Sequence, residues 1–374
     1  MKKILSLLLA LALLAGFAGC AGPGETPATP AATQTAPALE TTPEPTADPD
    51  APRIFTDSSG RAVEVPANIA TIAVTGPLAQ IVVFALAPDL LAGIASEWDE
   101  AAALYLDAGY YELPVLGQLY GGKGELNLET LLASGAEVVI DVGEAKSTIV
   151  EDMDSLQAQT GIPFVHIDAT VQTMGAAYAM LGELLNMREQ AAALAEYCDA
   201  ALAKAQAVAH GAEPVKLLYV TGAEGHNVIA KGSYHAGVID MLSDNLAAVA
   251  EPSGKGTGNE VDMEQILAWN PEVVIFDPSS VYDTAGSDAA WQGLAAIQSG
   301  KYYEAPFGPY NWMGFPPSAQ QYLGMLWMAK LLYPDAANYD LYEEAKQYFS
   351  LFYHCDLTRA QYDALVANSI GKAA

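Results

Sequence analysis

Residues 127–143, NLETLLASGAEVVIDVG, and residues 262–278, DMEQILAWNPEVVIFDP, are two copies of one pattern. Seven of the seventeen aligned positions are identical. Each copy has an Asn or Asp where a helix N-cap is expected, and a Leu-Ala pair before the apolar run that starts at Glu-Val-Val-Ile. The pattern therefore predicts a short helix followed by a buried strand, at two equivalent places in the fold.

A second echo lies upstream of each copy. Val-Thr-Gly ends an apolar run at residues 74–76 and again at residues 220–222. Because two echoes occur in the same order, we expect two structurally similar lobes. Continuous apolar runs separated by helical stretches predict a parallel sheet covered on both faces, with strands at residues 69–74, 90–95, 137–141 and 164–168.

The middle of the chain is helical in composition. Residues 177–210 are rich in Ala, Leu, Glu and Gln and contain no Pro, with a break expected near Asn186. Residues 188–210 have three-four apolar spacing and predict one helix about 34 Å long. We interpret this helix as a spine between the lobes, with a routine surface helix as the alternative. The predicted organisation is an α/β lobe at residues 53–176, a helical region at 177–211, and a second α/β lobe with terminal helices at 212–374.

The N-terminus has the features of an export signal. Lys2 and Lys3 precede a short apolar run, which predicts a signal peptide at residues 1–19. Small residues before Cys20 resemble the bacterial lipobox and predict a lipidated Cys20, whereas a chance cysteine in a secreted protein is the alternative. Eight Pro and no apolar periodicity after this cysteine predict a tether at residues 20–52. We expect a body held at the outer face of the cytoplasmic membrane, at the cell surface or in the periplasm, by the lipid anchor only.

The charge of the chain excludes one class of partner. A formal net charge of −29 is incompatible with a nucleic-acid role. Apart from Cys20, the chain has only Cys198 and Cys355. A disulfide between them and two buried free thiols are both compatible with the sequence.

From about residue 54 to its end, the chain resembles the substrate-binding lipoproteins of ABC importers for iron–siderophores, haem and cobalamin. The resemblance rests on DSSGRAVEVPANIATIAV (57–74), the repeated passages above, LGELLN (181–186) and APFGPYNWMGFPPSAQQYLGMLWMAKLLYPD (305–335). It implies two Rossmann-like lobes bridged by one long helix, with a ligand cleft between them. It also implies a monomer with no intrinsic cofactor that delivers a metal chelate to a permease dimer with its ATPase. Glu129 and Glu264, one on each lobe, are the residues that would dock the permease, with helix stabilisation alone as the alternative.

Ligand is expected outside the carboxyl ends of the strands. The candidate ligand-binding residues in those loops are Thr75, Trp98, Tyr120, Lys123, Lys146, His226, Lys231, Tyr234, His235, Tyr310 and Trp312. Arginine is absent from the predicted cleft loops, and Phe315 stands where relatives with a W-x-G-R-P-P-S motif have Arg. This composition favours haem, a corrin or a neutral hydroxamate complex over a strongly anionic ligand.

Two other functions remain as alternatives. A binder of bare zinc or manganese would need several His and carboxylate side chains from both lobes, yet the first lobe offers no His in its cleft loops, since His166 lies inside a strand. No protein metal site is therefore predicted. An exported hydrolase is less favoured, because the G-x-S-x-G, H-E-x-x-H and P-loop signatures are missing from the sequence, and no catalytic residue is assigned.

Overall fold

A computed structural model describes residues 50–120 and 125–370. The signal peptide, Cys20, most of the tether and Lys123 lie outside these residues. Among the helices in the described ranges, none combines the length and the apolar character needed to span a bilayer. The described body opens with an antiparallel hairpin of β1 (Arg53–Thr56) and β2 (Ala62–Val65).

The first lobe is built on a parallel sheet with the strand order β3 (Ile72–Val74), β4 (Val138–Gly143), β5 (Phe164–Asp168). Nearly all residues of these strands are buried, as expected for a parallel sheet covered on both faces. Its helices are α1 (Pro77–Leu86), α2 (Ala108–Tyr111), α3 (Leu128–Ala133) and α4 (Ile149–Thr160), with 3-10 turns at Pro88–Leu90 and Glu100–Leu104.

The predicted strand at residues 90–95 is wrong. This segment makes only single bridges, from Leu91 to Ile72 and from Ile94 to Val115. Its backbone changes partner within three residues, because Ala92 N donates to Ile72 O and Ile94 N donates to Pro114 O. An apolar run shows that a segment is buried, but a ladder also needs one continuous neighbour.

The long helix is confirmed. α5 (Met174–Leu184) ends shortly before Asn186, whose positive φ of 56° turns the chain into α6 (Arg188–His210). α6 packs against α1 and α5 of the first lobe, and also against helices that follow it in the chain. The long helix thus bridges the two halves of the body.

The second lobe has a mixed sheet. Its strands are β6 (Lys216–Thr221), β7 (Asn227–Val228), β8 (Asp244–Asn245), β9 (Asn259–Glu260), β10 (Val273–Phe276) and β11 (Tyr302–Glu304). The order is β11-β10-β6-β7-β9, with β8 also paired to β6. β6, β10 and β11 run parallel, so their carboxyl ends lie at one edge.

The helices of this half are α7 (Gly237–Leu242), α8 (Met263–Trp269), α9 (Tyr282–Ala285), α10 (Ala295–Gln298), α11 (Gln321–Leu332), α12 (Leu341–Phe352) and α13 (Arg359–Leu365), with 3-10 turns at Tyr234–Ala236 and Trp291–Gly293. α12 reaches back to the first lobe, where Phe349 packs edge-on against Tyr105. The α/β architecture with two lobes and one bridging helix is therefore confirmed.

The repeated passage folds in the same way in both lobes. The Asn127 side chain accepts a hydrogen bond from Thr130 N at 3.0 Å, and the Asp262 side chain accepts one from Gln265 N at 2.7 Å. These N-caps start α3 and α8, and each helix leads into a buried strand, β4 or β10.

Both cysteines of the described body are free thiols. Cys198 lies in α6 with no exposed surface, and this burial, with Asp199 nearby, raises the pKa of its thiol. We expect a thiol reagent to modify Cys355 first in the native protein, because Cys355 is partly exposed, and Cys198 only after unfolding, because it is buried. Mass spectrometry of the labelled peptides measures this order. A peptide with Cys198 joined to Cys355 would contradict it.

Candidate ligand-binding site between the lobes

The loop after β5, at the carboxyl edge of the first sheet, contacts the second half of the body. Tyr234 of the second half donates from Oη to the carbonyl of Ala169, just after β5, at 3.3 Å. Tyr322 in α11 donates from Oη to the carbonyl of Val171 at 2.6 Å. These contacts place the loops after β5 against the second lobe, at the edge where open α/β sheets bind ligands.

Gln80, Tyr310 and Trp98 form the floor of the cleft, where Gln80 links the two lobes by hydrogen bonds. Gln80 Nε2 donates to Tyr310 Oη at 3.1 Å, while its Oε1 accepts from Ala95 N at 2.8 Å. The Tyr310 ring lies 5.7 Å from that of Trp98, whose Nε1 donates to Tyr110 O. Trp98 is only 6% exposed, so it supports the floor by packing.

One side of the cleft is an aromatic wall made of Tyr219, Phe315 and His235. Phe315 is stacked between the other two rings, at centroid distances of 5.5 Å from Tyr219 and 5.4 Å from His235. The backbone of Gly256 covers this wall, because a Cβ there would lie 3.2 Å from Phe315 and 3.3 Å from His235. Tyr219 has no exposed surface and His235 is only 9% exposed, so Phe315 is the partly exposed member of the aromatic wall, beside the lobe contacts.

The electrostatics favour neutral donors near the aromatic wall. Burial lowers the pKa of His235, and the positive charge of Lys146 on the first lobe acts in the same direction. Burial, together with Glu144 and Asp168, raises the pKa of Tyr234 to about 12, so its hydroxyl remains a donor at neutral pH. Lys146 itself lies 3.9 Å from Glu144, and both side chains are about half exposed.

The first-lobe edge is held by a buried polar chain. Thr75 follows β3 and donates from Oγ1 to Asp141 of β4, whose other oxygen lies 2.7 Å from His166 Nδ1 in β5. The carbonyl of Thr75 accepts from Leu119 N at 2.6 Å, which ties the next loop to this edge. Thr75 therefore fixes the loops, while its hydroxyl is occupied within the protein.

Other predicted residues are spread around this site. Tyr120 lies beside the Thr75 loop, and its Oη donates to Asp152 at 2.5 Å. His226 is exposed next to β7, at the carboxyl end of β6. Trp312 is 1% exposed and donates from Nε1 to Gly308 O, so it is a core residue.

Lys231 is placed away from the cleft. Its ammonium pairs with Asp244 at 3.2 Å, and Asp244 lies opposite Lys216 at the amino end of β6. The sequence around a lysine in a loop does not show whether the side chain lies at the carboxyl end or the amino end of the sheet. The structure thus brings Lys146, Tyr234 and His235 together, with Tyr310 on the adjoining floor, and it separates Lys231 from them.

Sequence reasoning did not assign Phe315, Tyr219 or Gln80 to the site. Phe315 stands out in the sequence only as a replacement for Arg, and Tyr219 lies within an apolar strand that gives no sign of contact with another loop. A polar residue in an otherwise apolar helix was the available signal for Gln80, which is fully buried in α1.

Glu129 and Glu264 occupy equivalent, exposed positions in the first turns of α3 and α8. Among residues 50–120 and 125–370, neither carboxylate has an ion-pair partner within 4.0 Å. The geometry therefore leaves both side chains open to an external partner.

Solved structures of other proteins share this fold. An ABC transporter solute-binding protein from Sulfurospirillum deleyianum has 26% identity and a TM-score of 0.77, over 84% of this chain and 99% of that structure. The molybdate-binding protein MolA of Haemophilus influenzae is 24% identical over 342 residues, which is 81% of this chain and 91% of MolA. The structure of MolA with molybdate has 21% identity and a TM-score of 0.65, over 82% of this chain and 99% of that structure.

The family model described as periplasmic binding protein matches residues 96–308, which is more than half of the chain. This family consists of solute-binding proteins, not enzymes, and its members work outside the cytoplasm with a permease and an ATPase. The bound solute is cargo and not a cofactor. The chain therefore belongs to the periplasmic binding protein family, as the class III, two-lobed solute-binding component of an ABC importer.

Proposed function

We propose that this receptor captures a metal chelate of low net charge. The supporting observation is the aromatic wall of Tyr219, Phe315 and His235, in which the partly exposed Phe315 is stacked between two buried rings. The exposed part of Phe315 offers apolar contact area to the planar or apolar groups of a chelate. Haem, corrin and hydroxamate complexes have groups of this kind.

The placement of arginine supports low net charge in the ligand. Arg53 donates to the carbonyl of Leu184, and Arg61 pairs with Asp57 and Asp154. Arg359 pairs with Asp363, while Arg188 starts α6 on the surface. The guanidinium groups thus lie outside the cleft, although they are the side chains best suited to bidentate binding of carboxylates and oxyanions.

Molybdate is the second candidate ligand. It is favoured by the similarity to MolA and by the half-exposed ammonium of Lys146 at the cleft edge. A dianion at this edge would have to displace the contact of Lys146 with Glu144, and the carboxylates near Tyr234 would oppose it.

A thermal-shift screen tests the ligand class. We expect ferric hydroxamate, haem or cobalamin to raise the midpoint, since a ligand at a hundred times its Kd stabilises the native state by about 2.7 kcal/mol. Phe315→Ala should weaken the shift, whereas Phe307→Ala, a partly exposed Phe in the same loop, should retain it. The screen also includes molybdate, zinc and manganese.

Each outcome of the screen decides between named ligands. A midpoint shift with molybdate alone would identify the oxyanion, and not a chelate, as the ligand. A shift only with zinc or manganese would show that the aromatic wall is not the binding surface. A chelate-induced midpoint shift that Phe315→Ala leaves unchanged would show that the chelate binds elsewhere in the cleft.

We also propose that Glu129 and Glu264 dock the permease and that lipidated Cys20 anchors the monomer through its tether. The two Glu residues occupy matched positions on the two lobes, which suits a permease with two equivalent subunits. Opposite charges at such places speed association and fix its register. The anchor rests on the sequence before Cys20.

A further inference from the structure

Each of the two proposed docking helices carries an exposed leucine one turn after its Glu. Leu132 in α3 is 51% exposed and Leu267 in α8 is 37% exposed. Residues three apart lie on the same face of a helix, so each Leu lies beside its Glu, at residue 129 or 264. The same Glu–Leu pair is therefore presented twice.

The inward positions of these helices are filled by other residues. Leu131 and Ile266, which immediately precede the exposed leucines, are fully buried. Leu131 and Ile266 thus fill the core positions of their helices, and Leu267 remains exposed although it lies close to Gly293. A single exposed leucine is ordinary, but two at equivalent positions in both lobes, each beside an exposed carboxylate, indicate a shared use.

We infer that each Glu–Leu pair binds one subunit of the permease dimer, whose matching surface has a basic side chain next to an apolar socket. This inference rests on the proposed docking function. Two observations argue for this occupant: the exposed carboxylates complement a cationic partner, and the pair occurs once per lobe, which matches two equivalent permease subunits. The leucines supply the desolvated anchor, and the glutamates supply steering and register.

The glutamates and the leucines should affect different rate constants of binding to the permease. Exposed charges mainly change the association rate and its salt dependence, whereas buried apolar anchors mainly change the dissociation rate. The experiment uses the full-length protein and its cognate permease–ATPase complex in lipid nanodiscs, with binding followed by biolayer interferometry at low and high salt. The variants are L132A/L267A, E129Q/E264Q and the control Leu104→Ala, which removes a 67% exposed leucine outside both helices.

We expect L132A/L267A to dissociate at least about tenfold faster with an unchanged salt dependence, because burial of even one leucine contributes enough for that factor. E129Q/E264Q should associate more slowly and lose most of the salt dependence. Leu104→Ala should behave like the wild type. Replacing both leucines with Met should restore slow dissociation, since Met keeps the apolar volume.

The outcomes separate this inference from the proposed function. Normal dissociation of L132A/L267A with impaired E129Q/E264Q would overturn the role of the leucines and leave the docking glutamates in place. Normal binding of both double variants would overturn the docking proposal itself. If the wild type sediments as a dimer and L132A/L267A sediments as a monomer, this surface mediates self-association and not permease docking.

Discussion

Replacing Asp141 with alanine is expected to lower the free energy of unfolding by about 3–5 kcal/mol. Asp141 is 5% exposed. Its carboxylate accepts a hydrogen bond from Thr75, which follows β3, and its other oxygen lies 2.7 Å from His166 Nδ1 in β5. The register of the sheet sets this chain, because Asp141 lies opposite His166 in β5. Removal of the carboxylate would leave two buried polar groups without their partner, and urea unfolding measures the loss.

The control is another carboxylate of the same lobe. Asp154 pairs with Arg61 at 2.8 Å, but its side chain is 64% exposed, so Asp154→Ala should cost less than about 1 kcal/mol. Asp141→Asn should fall between the two, since it keeps the shape and one acceptor. A loss below about 1 kcal/mol for Asp141→Ala would show that the Thr75–Asp141–His166 chain does not hold the cleft edge.

The repeated passage explains why much of the fold could be predicted from the sequence. N-capping by Asn127 and Asp262 is a local interaction, and so is the turn at Asn186 that precedes α6. Such features depend on neighbours within four residues and are visible in one stretch of sequence. The strand predicted at residues 90–95 does not form. Its backbone bonds in part to Pro114 O, about twenty residues away, and the local sequence does not show this partner.

The site was harder to predict because its parts come from distant segments. His235 and Phe315 are eighty positions apart in the sequence, yet they stack at an interplanar angle of 3°. No local pattern distinguishes a loop Trp that supports the core, such as Trp312, from one that faces a ligand. Lys231 shows the same limit for charge, since its ion pair with Asp244 decides where its side chain lies.

Gly324→Ala is the second substitution with a large expected effect. Gly324 lies in α11, and a Cβ there would be 1.9 Å from the carbonyl oxygen of Trp312, which is backbone and not a flexible side chain. α11 and the segment from Trp312 to Phe315 are therefore packed backbone to backbone. Because neither can retreat without breaking buried contacts, we expect a loss of about 3 kcal/mol or more in urea unfolding.

A second glycine tests whether this effect is local. Gly211 at the end of α6 has a φ of −99°, and a methyl group added there would have no atom within 4 Å, so Gly211→Ala should be neutral or stabilise by up to about 1 kcal/mol. Gly324→Ala should also weaken chelate binding by the molecules that remain folded, because the displaced segment carries Phe315 of the aromatic wall. Full stability of Gly324→Ala would mean that α11 and this segment are not in backbone contact. Lost stability with intact chelate binding would mean that the position of Phe315 does not depend on α11.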